Sequence, residues 1–272
     1  MYNYQSVVFD LDGTLLNSRH QILTENKAVI QNLQSTKVDI YLASGRPHQL
    51  MLPYANELGL ETPLICCNGA YCFDAKSKDI IHGRPLDRNS LSALLTFCKP
   101  LDVAVRIISP KHIYLYQAAP SFQQMSEWER TREPNGVPTY QQVHEEQFVS
   151  FAQSLTIYKA VVETKDLAVL KALQTYCDDH ELNFTQSSQT MADITTLGTN
   201  KAQALSQLLQ AKSYDVVDTV AFGNYSNDIE LLVSAGLGIA MGNSPLEVKE
   251  IANIVTTHHD ESGIYDSLCL YF

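Results

Sequence analysis

The sequence predicts an α/β fold, with a parallel sheet built from the two ends of the chain and an α+β block inserted between them. Three observations carry this. Short apolar segments alternate with segments of helical spacing near both ends, the pattern of βα units. From about residue 85 that rhythm gives way to paired strands, and it resumes near residue 190. Three candidate strands run into small polar or acidic loops, at Asp10, Ser44 and Asn224. Open parallel sheets gather their ligands beyond such strand ends.

Residues 4 to 16, YQSVVFDLDGTLL, open the series. Val7-Val8-Phe9 reads as a buried strand, and Gly13 as the place where the chain turns away. Residues 24 to 36 carry a helical spacing of Ala28, Val29 and Leu33, with Thr24 as N-cap. Val38 to Ala43 is a second strand, ending in Ser44-Gly45-Arg46-Pro47. Residues 48 to 58 look helical, and Leu64 to Cys67 is a third strand closed by Asn68-Gly69. Tyr71 to Asp74 and Asp79 to His82 form a hairpin.

In the inserted block, residues 88 to 99 fit a helix. Val103 to Ile108 and His112 to Tyr116 fit strands paired across Ser109-Pro110-Lys111. A polar stretch with Trp128, Arg130, Arg132, Pro134, Gly136 and Pro138 reads as loop and short helix. A strand at Tyr158 to Val162, a helix over 166–181 and a strand over 182–190 complete the block. The parallel pattern resumes after Met191-Ala192-Asp193-Ile194. Gly198-Thr199-Asn200-Lys201 opens a helix to about 211, and Asp218 to Phe222 is a strand ending in Gly223 to Asp228. A short helix to Ala235 and strands at Gly238 to Met241 and Ala252 to Thr256 follow.

Composition sets limits. The net charge of −11 and pI near 5.1 argue against a basic nucleic-acid or membrane-surface binder. An anionic substrate must then be drawn in by a local positive site. The six cysteines show no C-x-x-C spacing and read as buried thiols of a reducing cytosol. No secretory leader and no spanning apolar run is visible, so a soluble cytoplasmic protein is expected.

The chemistry starts at Asp10 and Asp12. On an extended chain, side chains at i and i+2 share a face. The strand would therefore end in two carboxylates converging on one spot, with Leu11 pointing away. Two like charges that close keep one of the pair protonated unless a cation sits between them. Carboxylate oxygens with a nearby backbone carbonyl suit Mg²⁺. The plainer alternative is a polar turn after a strand.

Here the chain resembles the haloacid dehalogenase (HAD) superfamily, whose phosphatases open with such a strand and a DxDGT loop. Asp10 to Thr14 matches the first motif, Ser44 the second, Lys201 after its G-x-x-K pattern the third, and Gly223 to Asp228 the fourth, GDxxND. The insertion, the AGLGIAMGNS and EIANIVT segments and Gly263 resemble the Cof-type subfamily, and the likeness runs along nearly the whole chain. It implies a Rossmann-like parallel-sheet core, residues 1–84 and 190–272, with a large inserted α+β cap, residues 85–189. It implies a Mg²⁺-dependent phosphomonoesterase for small phosphorylated metabolites, sugar phosphates or pyridoxal phosphate. The FGNYSND stretch and the Trp-containing cap segment are most like the pyridoxal phosphate phosphatase branch.

The resemblance also implies roles. Asp10 is the nucleophile, forming an aspartyl-phosphate, and Asp12 the general acid/base, provided it starts protonated. Leu11, Ser44, Gly45, Lys201 and Asn227 bind substrate, supplying charge and donors to the phosphoryl oxygens. Asp10, Asp12, Asn224 and Asp228 hold the metal. Each residue taken alone has a duller reading: Ser44-Gly45 a common loop, Lys201 a solvated helix residue, Asn227-Asp228 an N-cap pair. Arg46 either binds phosphate or fixes its loop. His258-His259-Asp260-Glu261 reads as a solvated loop, and Tyr114, Tyr116 and Trp128 as packing residues. One departure stands out: Asn224 occupies a position where the family usually carries a metal-binding Asp. Weaker metal binding is expected, with Asp228 compensating either by direct ligation or from behind the ligands. The alternative function is a phosphometabolite-binding or regulatory protein with weakened catalysis. A dehalogenase has no use for an acid at Asp12, and the large mixed cap argues against a phosphomutase.

Overall fold

The structure, a computed structural model, describes residues 4–116, 139–143 and 145–272. It divides into two compact units, Met1–His82 with Asn200–Phe272, and Gly83–Thr199. Chain order gives β1 (Ser6–Phe9), α1 (Thr24–Ser35), β2 (Asp39–Leu42), α2 (Leu52–Leu58), β3 (Leu64–Cys66), β4 (Tyr71–Asp74) and β5 (Asp79–Gly83). The second unit holds α3 (Arg88–Cys98), β6 (Ala104–Ile108), β7 (His112–Tyr116), β8 (Thr139–Gln142), α4 (Glu145–Gln153), β9 (Lys159–Glu163), α5 (Leu167–Asp179), β10 (Leu182–Gln186) and β11 (Met191–Thr196). The chain then returns with α6 (Lys201–Gln210), β12 (Thr219–Gly223), α7 (Ile229–Ser234), β13 (Leu237–Ala240), α8 (Leu246–Ile251), β14 (Ile254–Val255) and α9 (Gly263–Tyr271).

The first unit is built on a parallel sheet of order β14-β13-β12-β1-β2. Its strands are apolar on both faces because both are covered. Val8, Tyr41 and Ala221 share a register row and pack with Leu205, Leu208 and Leu231 of α6 and α7. On the other face Phe9 stacks on Phe222, ring centroids 5.1 Å apart. Burial of each such side chain is worth about 1.5–3 kcal/mol. The consequence for the site is topological. β1 has β2 on one side and β12, more than 200 residues later, on the other. Strand order reverses there, which opens a crevice beyond the C-terminal ends. The loops after Phe9, Leu42 and Gly223 meet at that edge.

The helix expected over 24–36 is present, but Leu23 holds the N-cap position without a side-chain bond, and Thr24 is the first helical residue. Residues 48–58 split into a 3-10 turn, His48–Leu50, and α2, with Pro53 in the first turn of the helix. The helices α8 and α9 are additional to the elements that the sequence predicts.

In the second unit the sheet order is β10-β11-β9-β6-β7-β8, antiparallel apart from the β7–β8 pair. One sheet face packs Val105, Ile107, Ala160, Val162, Ala192 and Ile194 against Leu94, Phe148 and Leu173 of the helices. The sequence boundary at 189/190 is corrected here. Residues 191–196 pair antiparallel with β9 and β10, so they belong to the inserted unit, which ends at Thr199. Their alternation of Ala192 and Ile194 inward fits either sheet, and only the pairing decides. The polar stretch from Trp128 to Pro138 lies outside the described residues. No helix among the described residues is long and apolar enough to cross a membrane.

Candidate active site

Asp10 lies one residue past β1. Its N–H donates to the Phe222 carbonyl of β12 at 3.0 Å, which sets its carboxyl at the sheet edge beside the loop leaving β12. Lys201, the first residue of α6, is fully buried. Its Nζ donates to Asp10 Oδ1 and to Asp228 Oδ1, each at 2.6 Å. A buried ammonium at the positive end of a helix is disfavoured twice over, by desolvation and by the helix dipole. Two carboxylates reverse that. Burial pushes the pKa of Lys201 down, and the charges of Asp10 and Asp228 override it and hold it above the usual lysine range. Burial pushes the Asp10 carboxyl up to about 7; Lys201 opposes the rise, and the charges of Asp228 and Asp12 add to it.

Asp228 is buried completely, and its Oδ2 accepts the N–H groups of Asn224 (2.9 Å) and Tyr225 (3.0 Å). Both of its oxygens are engaged. It braces Lys201 and the loop after β12.

Asp12 departs from the expected convergence with Asp10. The chain leaves extended geometry after Phe9. Thr14 and Leu16 N–H groups bond back to the Leu11 carbonyl, and Gly13 turns the loop at φ 78°. The shared face of residues i and i+2 ends with the strand. The Asp12 carboxylate is gripped instead by Arg46, Nε to Oδ2 and Nη2 to Oδ1, each 2.7 Å, with His20 Nδ1 at 3.4 Å. The surrounding protein raises the proton affinity of Asp12. The His20 hydrogen bond and the Arg46 charge override this and hold the carboxyl well below the usual range. Its side chain keeps 47% of its exposure, so solvent screens the pair. Arg46, left open in sequence, is thus the partner of Asp12.

The other expected residues surround this centre. Leu11 is fully buried, and its carbonyl accepts the Thr14 and Leu16 N–H groups. Ser44 is buried, and its Oγ accepts the Arg46 N–H at 3.2 Å. Gly45 sits half-buried between them. Asn224 Oδ1 accepts the Thr14 hydroxyl at 3.1 Å. Asn227 Nδ2 donates to Asn68 Oδ1 at 3.0 Å. Asp10 and Asn224 leave adjacent strands and offer oxygen donors of the hard kind Mg²⁺ takes. A buried carboxylate with raised proton affinity is a group that a neighbouring cation would ionise. The donor set therefore fits a hard cation, with less negative charge than the sequence suggested, because Asp12 is turned to Arg46 and Asp228 to Lys201.

Sequence reasoning missed several supports. Asn243 Nδ2 donates to the Gly13 carbonyl at 2.8 Å, and His259 Nδ1 lies 2.8 Å from the Leu16 carbonyl. Asp260 accepts the N–H and hydroxyl of Ser18, both at 2.7 Å. His258, His259 and Asp260 offer ligand atoms within 4.8 Å of one another, yet His259 and Asp260 are occupied in latching the first loop. No spacing in the chain ties residue 18 to residue 260. The remaining support is the loop Cys67-Asn68-Gly69, three successive left-handed residues at φ 52°, 59° and 93°. For the two non-glycine residues this costs on the order of 1–3 kcal/mol each.

Comparison with known proteins gives a consistent answer. A family model described as haloacid dehalogenase-like hydrolase matches residues 7–268. The pyridoxal phosphate phosphatase YbhA of Escherichia coli is 28% identical over 270 residues, covering 96% of this chain and 98% of that protein. The 5-amino-6-(5-phospho-D-ribitylamino)uracil phosphatase YcsE of Bacillus subtilis is 25% identical, covering 95% and 92%. Among solved structures, the HAD subclass IIB sugar phosphatase BT4131 superposes with a TM-score of 0.85 at 22% identity, covering 98% of both chains, a likeness of fold.

Proposed function

This chain belongs to the haloacid dehalogenase-like hydrolases and is a phosphatase of that superfamily, and on that premise we propose that it cleaves small phosphorylated metabolites through an aspartyl-phosphate on Asp10. The observation that carries the proposal is the fully buried Lys201, bonded at 2.6 Å to both Asp10 and Asp228. A cation fixed without freedom beside the nucleophile stabilises charge on transferring phosphoryl oxygens and needs no reorganisation to do so.

In the first half-reaction an Asp10 carboxylate oxygen attacks phosphorus and the ester P–O bond breaks. Asp12 donates a proton to the departing alkoxide. In the second, water attacks the aspartyl-phosphate, gives its proton to Asp12, and inorganic phosphate leaves as the P–O bond to Asp10 breaks. Asp12 is held ionised by Arg46, the form suited to activating water. Before it can act as the acid it must take up a proton and release Arg46. Ser44, Gly45, Asn227 and the Leu11 backbone are the remaining phosphoryl contacts in this reading. Mg²⁺, which the family generally uses, would be held by Asp10 and Asn224 and would neutralise phosphoryl charge.

Pyridoxal phosphate and sugar phosphates are the proposed substrate classes, on the strength of the relatives' activities. A reducing, cytoplasmic setting agrees with six cysteines all present as free thiols. A second reading is favoured by Asn224. Lacking the charge of an aspartate, it suits a phosphometabolite-binding or regulatory protein with weakened catalysis. Hydrolysis of p-nitrophenyl phosphate with and without Mg²⁺, by the wild type and Asp10→Asn, separates the two. Turnover abolished by Asp10→Asn supports the enzyme. Ligand binding without turnover supports the second reading.

A further inference from the structure

We infer that Asn68 is a positioning residue of the phosphoryl site, acting through Asn227. The inference rests on reading Asn227 as a phosphoryl contact. Asn68 belongs to the left-handed loop that follows β3, and that loop touches the segments that follow β2 and β12 and the residue that precedes α6. The Cys67 N–H donates to the Arg46 carbonyl at 3.0 Å, and the Asn68 N–H to the Ser44 carbonyl at 2.9 Å. A Cβ on Gly69 would overlap the Asn200 carbonyl, so the loop is seated directly on the residue that precedes Lys201. From this braced backbone the Asn68 side chain reaches Asn227, with Nδ2 of Asn227 donating to Oδ1 of Asn68 at 3.0 Å.

Two features separate this from ordinary loop packing. First, Asn68 has φ 59° and ψ 30°, a conformation that glycine meets at no steric cost. Asparagine tolerates it but brings a carboxamide, and this one is only 3% exposed. A buried carboxamide must find polar partners. Second, the partner it finds is the carboxamide of Asn227, which is half-buried at the site and 159 positions away in sequence. One N–H of Asn227 is committed to Asn68, and that bond sets the plane of the whole group. The orientation of a phosphoryl-binding amide is thus fixed by a residue with no place in the four motifs.

A double-mutant cycle tests this. Asn68→Gly keeps the backbone conformation and removes only the side chain. It is compared with Asn227→Ala and with the double variant in steady-state hydrolysis of p-nitrophenyl phosphate, thermal melts confirming that each is folded. Asn68→Gly should raise KM about fivefold to tenfold with kcat nearly unchanged, and in the Asn227→Ala background it should change KM by less than about twofold. Losses that multiply across the two sites, or no loss from Asn68→Gly, would overturn the inference while leaving the phosphatase reading intact. A wild type without turnover would instead sink the phosphatase reading, and the same cycle would then be read in the Kd of inorganic phosphate. Absence of phosphate binding by the wild type would overturn both.

Discussion

The guanidinium of Arg46 grips the carboxylate of Asp12 through two hydrogen bonds of 2.7 Å. A planar donor fork meets a planar acceptor, the geometry that lysine cannot reproduce. Asp12 is thereby kept ionised and turned from Asp10, although its charge still raises the proton affinity of Asp10.

That pair governs the pH profile. Arg46 lowers the Asp12 pKa, so its removal must raise it. In Arg46→Gln the basic limb of kcat/KM, which reports the protonated Asp12 needed in the first half-reaction, should move to higher pH, by roughly one unit or more. A pH–rate profile checks this, and a limb that stays in place would show that Asp12 does not govern it.

The ion pairs of Lys201 carry stability, apart from the phosphoryl contact proposed for it. Lys201→Met leaves Asp10 and Asp228 buried without their cation, a change that costs about 3–5 kcal/mol when one partner of a buried pair is lost. Urea denaturation should show that loss, together with loss of turnover. Unchanged stability would mean the pair is not formed in solution.

Asn224 is the proposed metal ligand that a single substitution can charge. Asn224→Asp adds a negative oxygen beside Asp10 and should tighten Mg²⁺ binding measured by calorimetry, with higher turnover. The Thr14 hydroxyl can donate to either side chain, so the loop is preserved. Unchanged affinity would remove Asn224 from the ligand set.

His48 gives the fold a pH dependence away from the reacting groups. Its ring stacks on Phe73 at 3.8 Å between centroids, and Nδ1 lies 3.1 Å from the Tyr71 hydroxyl. Burial pushes its pKa down to about 4 from the ordinary 6.5. Between these values the unfolded chain binds a proton that the folded chain does not, so stability is complete above pH about 6.5 and declines as pH falls toward about 4. His48→Phe keeps the stack and cannot titrate. Its melting temperature should fall less than that of the wild type over this window, and parallel curves would refute the assignment.

Much of this was legible in the chain because parallel strands advertise themselves twice, by apolar runs and by the polar loops that end them. Asp10, Ser44 and Asn227 lie on such loops, while Lys201 is marked by its resemblance to a G-x-x-K pattern, and its ammonium meets Asp10 at the sheet edge. What stayed hidden depends on pairing or on turns. The antiparallel partnership of residues 191–196 is invisible to periodicity, since a strand that alternates inward and outward suits either sheet. The turn after Phe9 cancelled the i, i+2 rule and sent Asp12 to Arg46. The six-residue α8 is under two turns long, and α9 begins at Gly263 without a side-chain cap, so neither carried a start signal. The Asn68–Asn227 and Ser18–Asp260 bonds join residues that no local pattern relates.

The most direct test of the central claim is to look for the covalent intermediate. Rapid acid quench of the enzyme during turnover of a phosphomonoester, followed by peptide mass spectrometry, should find a phosphoryl adduct on the peptide carrying Asp10, absent in Asp10→Asn. Undiminished hydrolysis by Asp10→Asn, or steady turnover by the wild type with the adduct on another residue, would contradict the account.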